Sequence, residues 1–70
     1  MARQINEIPN GSLLQMLPNG DIFITLPGAM IPVYCVQRDN KVRTAILREP
    51  VDEATAQAAR DYVARHLPTR

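Results

Sequence analysis

The chain has 70 residues, and this length allows one domain, because chains divide into several hydrophobic cores only beyond about 250 residues. Hydrophobic residues make up 46% of the sequence, too large a share for a disordered chain, and the formal net charge of +1 does not predict binding to nucleic acid or to an anionic membrane. No run of about 18 apolar residues is present, and the first seven residues lack the apolar core of a signal peptide, so we expect no membrane contact.

Turn-forming residues divide residues 12–48 into four predicted strands. Pro18-Asn19-Gly20 predicts a tight hairpin turn between the first two strands, because Asn-Gly tolerates the positive φ angles that such turns require. Leu26-Pro27-Gly28-Ala29 suits a type II turn. The polar segment 38–41 predicts the last turn, and Glu49-Pro50 ends the last strand. The predicted strands are 12–17, 21–26, 31–37 and 42–48.

The sequence becomes alanine-rich after residue 50 and predicts a helix over 51–67. Asp52 is a good N-cap, and Glu53 places negative charge in the first turn, where the helix dipole favours it. At about 100° per residue, one helix face collects the side chains that we expect to pack on the sheet. These are Thr55, Ala58, Ala59, Tyr62, Val63 and His66.

These elements predict a single α+β domain with three parts. An N-terminal arm (1–11) precedes a four-stranded antiparallel β-meander (12–48), and one C-terminal α-helix packs on one sheet face. Ile5 and Ile8 give the arm an apolar side, which would form either a fifth short strand or a clasp onto a partner.

The sequence has one cysteine, Cys35, and one histidine, His66. An intrachain disulfide is impossible and a structural zinc site needs four N or S ligands, so we expect no metal, no cofactor and a reducing, cytoplasmic location. Nucleophilic catalysis would need Cys35 as the nucleophile and His66 as the base beside it. Cys35 instead lies in an apolar run, which predicts a buried, inert thiol. The scattered glycines form no phosphate loop. We therefore expect a protein that is not an enzyme.

Apolar residues occupy both faces of the predicted sheet, whereas a half-solvated antiparallel sheet has polar residues at every second position. One slim helix covers one face, and the other would leave a larger apolar patch in water than a soluble monomer usually tolerates. We therefore expect this face to be buried between molecules, most simply in a C2 homodimer, unless the arm or a strongly coiled sheet covers it. The expected assembly face consists of Leu14, Met16, Phe23, Tyr34, Val36 and Leu47.

Positive charge is concentrated in the predicted third hairpin. Residues 38–48 carry four basic side chains against one acidic side chain, a segment charge of +3. Most such charged turns only keep a protein soluble, but arginine also binds carboxylates and phosphates in a bidentate manner. The basic hairpin is therefore interpreted as a solvated turn, as a contact for an acidic protein surface, or as a contact for nucleic-acid phosphate. Its basic residues are Arg38, Lys41, Arg43 and Arg48.

These features predict a small non-catalytic protein-interaction module that forms a homodimer and regulates or inhibits a larger protein. The Ala- and Arg-rich composition is typical of small proteins of GC-rich bacteria and their phages, which often act in this way. The alternatives are a nucleic-acid- or nucleotide-binding module that uses the hairpin Arg38–Arg48, and an enzyme that uses Cys35 and His66.

Overall fold

The structure is a computed structural model that describes residues 7–67. Four strands form one sheet in the order β1-β2-β3-β4, and each strand is antiparallel to its neighbours. One C-terminal helix packs against β3 and β4, so the predicted α+β fold class is confirmed. The elements are β1 (Leu13–Met16), β2 (Ile22–Thr25), β3 (Tyr34–Val36), β4 (Val42–Thr44) and α1 (Glu53–His66).

The first two predicted turns form where glycine allows a positive φ angle. In the β1–β2 hairpin, Gly20 has a φ of 97° and the Leu17 N–H donates to the Asp21 carbonyl at 2.8 Å. Gly28 has a φ of 84°, and the Ala29 N–H donates to the Leu26 carbonyl at 3.0 Å. This hydrogen bond and this φ angle confirm the predicted type II turn.

The last strand is shorter than predicted because the chain turns back directly after Thr44. The Arg48 N–H donates to the Thr44 carbonyl at 2.9 Å and closes this turn. The Thr44 N–H then donates to the Glu49 carbonyl at 2.8 Å, and Pro50 pairs with Arg43. The returning chain therefore covers the outer edge of β4. β3 is also shorter than predicted, because regular pairing begins two residues after Pro32, which has no N–H to donate.

The helix begins where the capping pattern predicts. The Asp52 carboxylate accepts hydrogen bonds from the Thr55 N–H at 3.2 Å and from the Thr55 hydroxyl at 3.0 Å. These bonds favour the ionised carboxylate and hold the pKa of Asp52 below its usual value. At the other end, the Leu67 N–H donates to the Val63 carbonyl at 2.9 Å. The predicted stop signal, Pro68, lies outside the described residues.

The core lies between α1 and the sheet. Alanines on the inner face of α1 bring the helix close to the strands, and the Tyr62 hydroxyl donates to the Ser12 carbonyl at 2.8 Å just before β1. Ile8 is also buried here, whereas Ile5 lies outside the described residues. The prediction that His66 packs inward is wrong: it is exposed, and its ring stacks on that of Tyr62 with centroids 3.9 Å apart. The core residues are Ile8, Ile24, Tyr34, Val36, Val42, Ala56, Ala58, Ala59 and Tyr62.

Candidate interaction surfaces

Four residues of the predicted assembly face lie on the helix side of the sheet. Residues paired directly across strands share a sheet face. Leu14 and Tyr34 both pair with Ile24. Met16 and Val36 both pair with Ile22, which lies on the same face as Ile24. Tyr34 and Val36 are only 7% and 6% exposed, because α1 covers them. These two side chains are therefore buried within the chain itself rather than between molecules.

The other two residues of the predicted assembly face lie elsewhere. Phe23 pairs with Cys35 and therefore lies on the far face of the sheet, opposite α1. Leu47 lies in the turn after β4 and is 66% exposed. The expectation that the six residues share one exposed face is wrong. Alternation within each strand defines two sets of side chains, but the register between strands decides which sets fall on the same side.

The centre of the far face is covered by the chain's own polar side chains. Arg43 pairs with the buried Cys35 on the neighbouring strand. The Arg43 Nε donates to the Gln37 side-chain oxygen at 3.3 Å, and its Nη1 donates to the Arg48 carbonyl at 2.9 Å. A pocket of about 130 Å³ remains beside these groups, with Phe23 in its wall. Polar side chains of the sheet itself, rather than α1, therefore cover Cys35 on the far face.

The chemistry of this pocket does not activate the thiol. Burial raises the pKa of Cys35, the Asp21 carboxylate acts in the same direction, and Arg48 opposes both. A thiol with a raised pKa stays protonated, whereas the thiolate is the nucleophile. The sheet also separates Cys35 on the far face from His66 on α1, so the structure does not bring the two together. Across residues 7–67, no three His, Cys, Asp or Glu side chains form a group that could hold a metal ion.

The residues of the predicted basic hairpin line three neighbouring depressions of the surface. Arg43 and Arg48 line the far-face pocket, and Arg38 lines a shallow depression that adjoins it. Asp21 lies in both places, and its carboxylate accepts the Arg38 N–H at 3.1 Å. Lys41 lines a depression shared with α1, and Arg43 lines this depression too. Arg43 therefore lies between the far-face pocket and the depression that holds Lys41.

Five of the six exposed large apolar residues of the described chain lie at one end of the sheet. β1 and β3 begin at this end, and β2 and β4 end there, so the β2–β3 loop and the turn after β4 meet. The Ala45 N–H donates to the Val33 carbonyl at 2.8 Å and joins these two segments. Five large side chains here are at least 55% exposed, and we call them the apolar end. They are Leu13, Met30, Ile31, Ile46 and Leu47.

Sequence reasoning found only Leu47 of this group, because Ile31 and Ile46 were expected within longer strands. A usable signal was present: Met30 and Ile31 stand between the Pro27-Gly28 turn and Pro32, where a strand cannot pair regularly. Comparisons with protein-family models, with curated proteins and with solved structures found no match to this chain. Within residues 7–67, no helix is long and apolar enough to span a membrane.

Proposed function

We propose that the protein is a small non-catalytic interaction module that docks on a larger protein through its apolar end and regulates or inhibits that protein. The apolar end carries this proposal. Its five aliphatic side chains are 55–95% exposed although the chain has only 70 residues. Exposed apolar groups gathered in one region mark interaction sites, because burial in a partner removes them from water.

The charge next to the apolar end supports a protein partner. Arg48 directly follows Ile46 and Leu47 and is exposed. Arginine is enriched at protein interfaces, where it binds carboxylates beside an apolar centre. An acidic protein surface with an apolar cleft is the partner that this arrangement would fit.

Two features favour this function over the alternatives. The separation of Cys35 from His66 by the sheet leaves the thiol without the base that nucleophilic catalysis needs. Binding of nucleic acid would use several free cations together, but the Arg43 guanidinium is engaged by a side chain and a carbonyl of its own chain.

Capture from an extract of the organism that encodes the chain tests this proposal. Leu47→Lys places a charge in the apolar end, and Gln57→Lys makes a matched change at an exposed residue of α1. We expect the wild type and Gln57→Lys to retain the same protein, and Leu47→Lys to retain about tenfold less of it. Circular dichroism should show that all three chains fold. Equal retention by the three chains, or retention of no specific protein by the wild type, would contradict the proposal.

A further inference from the structure

The two edges of the sheet differ in what covers them. At the β4 edge, the returning chain pairs with the strand through Glu49 and Pro50. At the β1 edge, no other strand of residues 7–67 pairs with the outer side. An unpaired edge presents N–H and C=O groups that can template pairing with another strand.

The hydrogen-bond pattern identifies the backbone groups that point outward from β1. The Leu17 N–H donates to the Asp21 carbonyl, so this pair is hydrogen-bonded and alternate residues before it also face β2. The N–H and C=O groups of Leu14 and Met16 therefore point away from β2. Two residues with outward groups can form four hydrogen bonds with an antiparallel strand of the same spacing.

The side chains of β1 do not protect this edge. Edge strands of monomeric proteins usually carry lysine, proline or a bulge that blocks pairing. β1 reads Leu-Leu-Gln-Met, with no charge and no proline. Leu13 and Met16 are 69% and 63% exposed, and α1 packs on β3 and β4 rather than on β1. Apolar side chains on both sides of this strand thus remain available to a neighbouring strand.

We infer that β1 is a self-association edge, through which two copies pair as antiparallel strands and join their four-stranded sheets into one continuous sheet. The strand is self-complementary about Gln15. Pairing there places Gln15 opposite Gln15 of the second copy, and Leu14 opposite Met16 of the second copy. Amide meets amide, apolar meets apolar, and no like charges approach, so a second copy fits this edge.

A charge-pair experiment at Gln15 tests both the dimer and its register. Gln15 is exposed, so lysine or glutamate there does not enter the core. We expect the wild type to have a solution mass of twice 7.8 kDa in sedimentation equilibrium at micromolar concentration. Gln15→Lys and Gln15→Glu each place two like charges opposite one another and should weaken the dimer about fivefold. An equimolar mixture of the two variants should restore association, since lysine then faces glutamate.

Controls separate this inference from the proposed function. Gln57→Lys adds the same charge on α1 and should leave the mass unchanged. Leu47→Lys, which should weaken capture of a larger protein about tenfold, should leave the dimer intact, so each proposal can fail alone. A wild type that stays monomeric up to about 1 mM would overturn the inference. So would a dimer that is indifferent to both Gln15 variants, or variants whose mixture does not associate.

Discussion

The inner strand β3 and the edge strand β1 have similar apolar sequences but different surroundings. All three residues of β3 are buried, whereas in β1 only Leu14 is even partly buried. Both strands are apolar, so hydrophobicity does not distinguish them. The position of α1 does, because it covers β3 and β4, and no strand of residues 7–67 pairs with the outer edge of β1. An apolar strand in so small a domain can therefore belong to the core or to a surface.

The comparison also separates stability from interaction. Apolar side chains under α1 are removed from water when the chain folds, and each contributes free energy to the folded state. The side chains of Leu13 and Met16 in β1 and those of the apolar end stay exposed, so they contribute little to folding and would be buried only by another molecule. We expect substitutions under α1 to lower stability and substitutions at the exposed apolar residues to weaken association.

The largest contrast should come from one chemical change made in both regions. Ile24 is 0% exposed, whereas Ile46 is 63% exposed at the apolar end. We expect Ile24→Ala to lower the free energy of unfolding by about 2–5 kcal/mol, because it removes buried methyl groups and leaves a cavity. Ile46→Ala should change it by no more than about 0.5 kcal/mol. Urea unfolding measures both values, and similar losses for the two variants would show that the regions are not distinct.

The sequence predicted the elements whose causes are local. Asp52 caps α1 through its own side chain, and Gly20 and Gly28 adopt the φ angles that their turns need. The turn after β4 gives no such signal. It contains neither glycine nor proline, and Arg48 adopts a φ of 58°, which is unfavourable for any residue with a side chain. Two hydrogen bonds support this conformation. The Arg48 N–H donates to the Thr44 carbonyl, and the Arg43 side chain donates to the Arg48 carbonyl.

The candidate surfaces were harder to predict because they depend on contacts between elements. Each strand showed two sets of alternating side chains, but the set that faces α1 is fixed by register, which placed Tyr34 inside and Phe23 on the far side. The exposure of Met30 and Ile31 likewise follows from where the loop between β2 and β3 lies relative to the sheet. Such positions involve residues distant in the chain, and periodicity within one segment does not contain them.

A smaller effect is expected at the contact that links α1 to the start of β1. The Tyr62 hydroxyl donates to the Ser12 carbonyl at 2.8 Å. Tyr62→Phe keeps the buried ring and removes this bond, so it should lower the free energy of unfolding by about 1 kcal/mol. His66→Ala serves as the control, because it removes the exposed ring stacked on Tyr62 and keeps the hydrogen bond. A Tyr62→Phe protein as stable as the wild type would mean that this bond does not hold β1 to the helix.

The smallest effect at neutral pH should come from the cap that begins α1, because Asn and Asp are nearly equivalent N-caps. Hydrogen bonds from Thr55 hold the pKa of Asp52 below its usual 3.8 in the folded chain. A lowered folded-state pKa adds stability above pH 3.8 and loses it as the pH falls through the folded value. Asp52→Asn cannot ionise, so its stability should fall less steeply in acid than that of the wild type. Urea unfolding between neutral and acidic pH measures both slopes, and identical slopes for Asp52→Asn and the wild type would exclude this cap as a source of acid sensitivity.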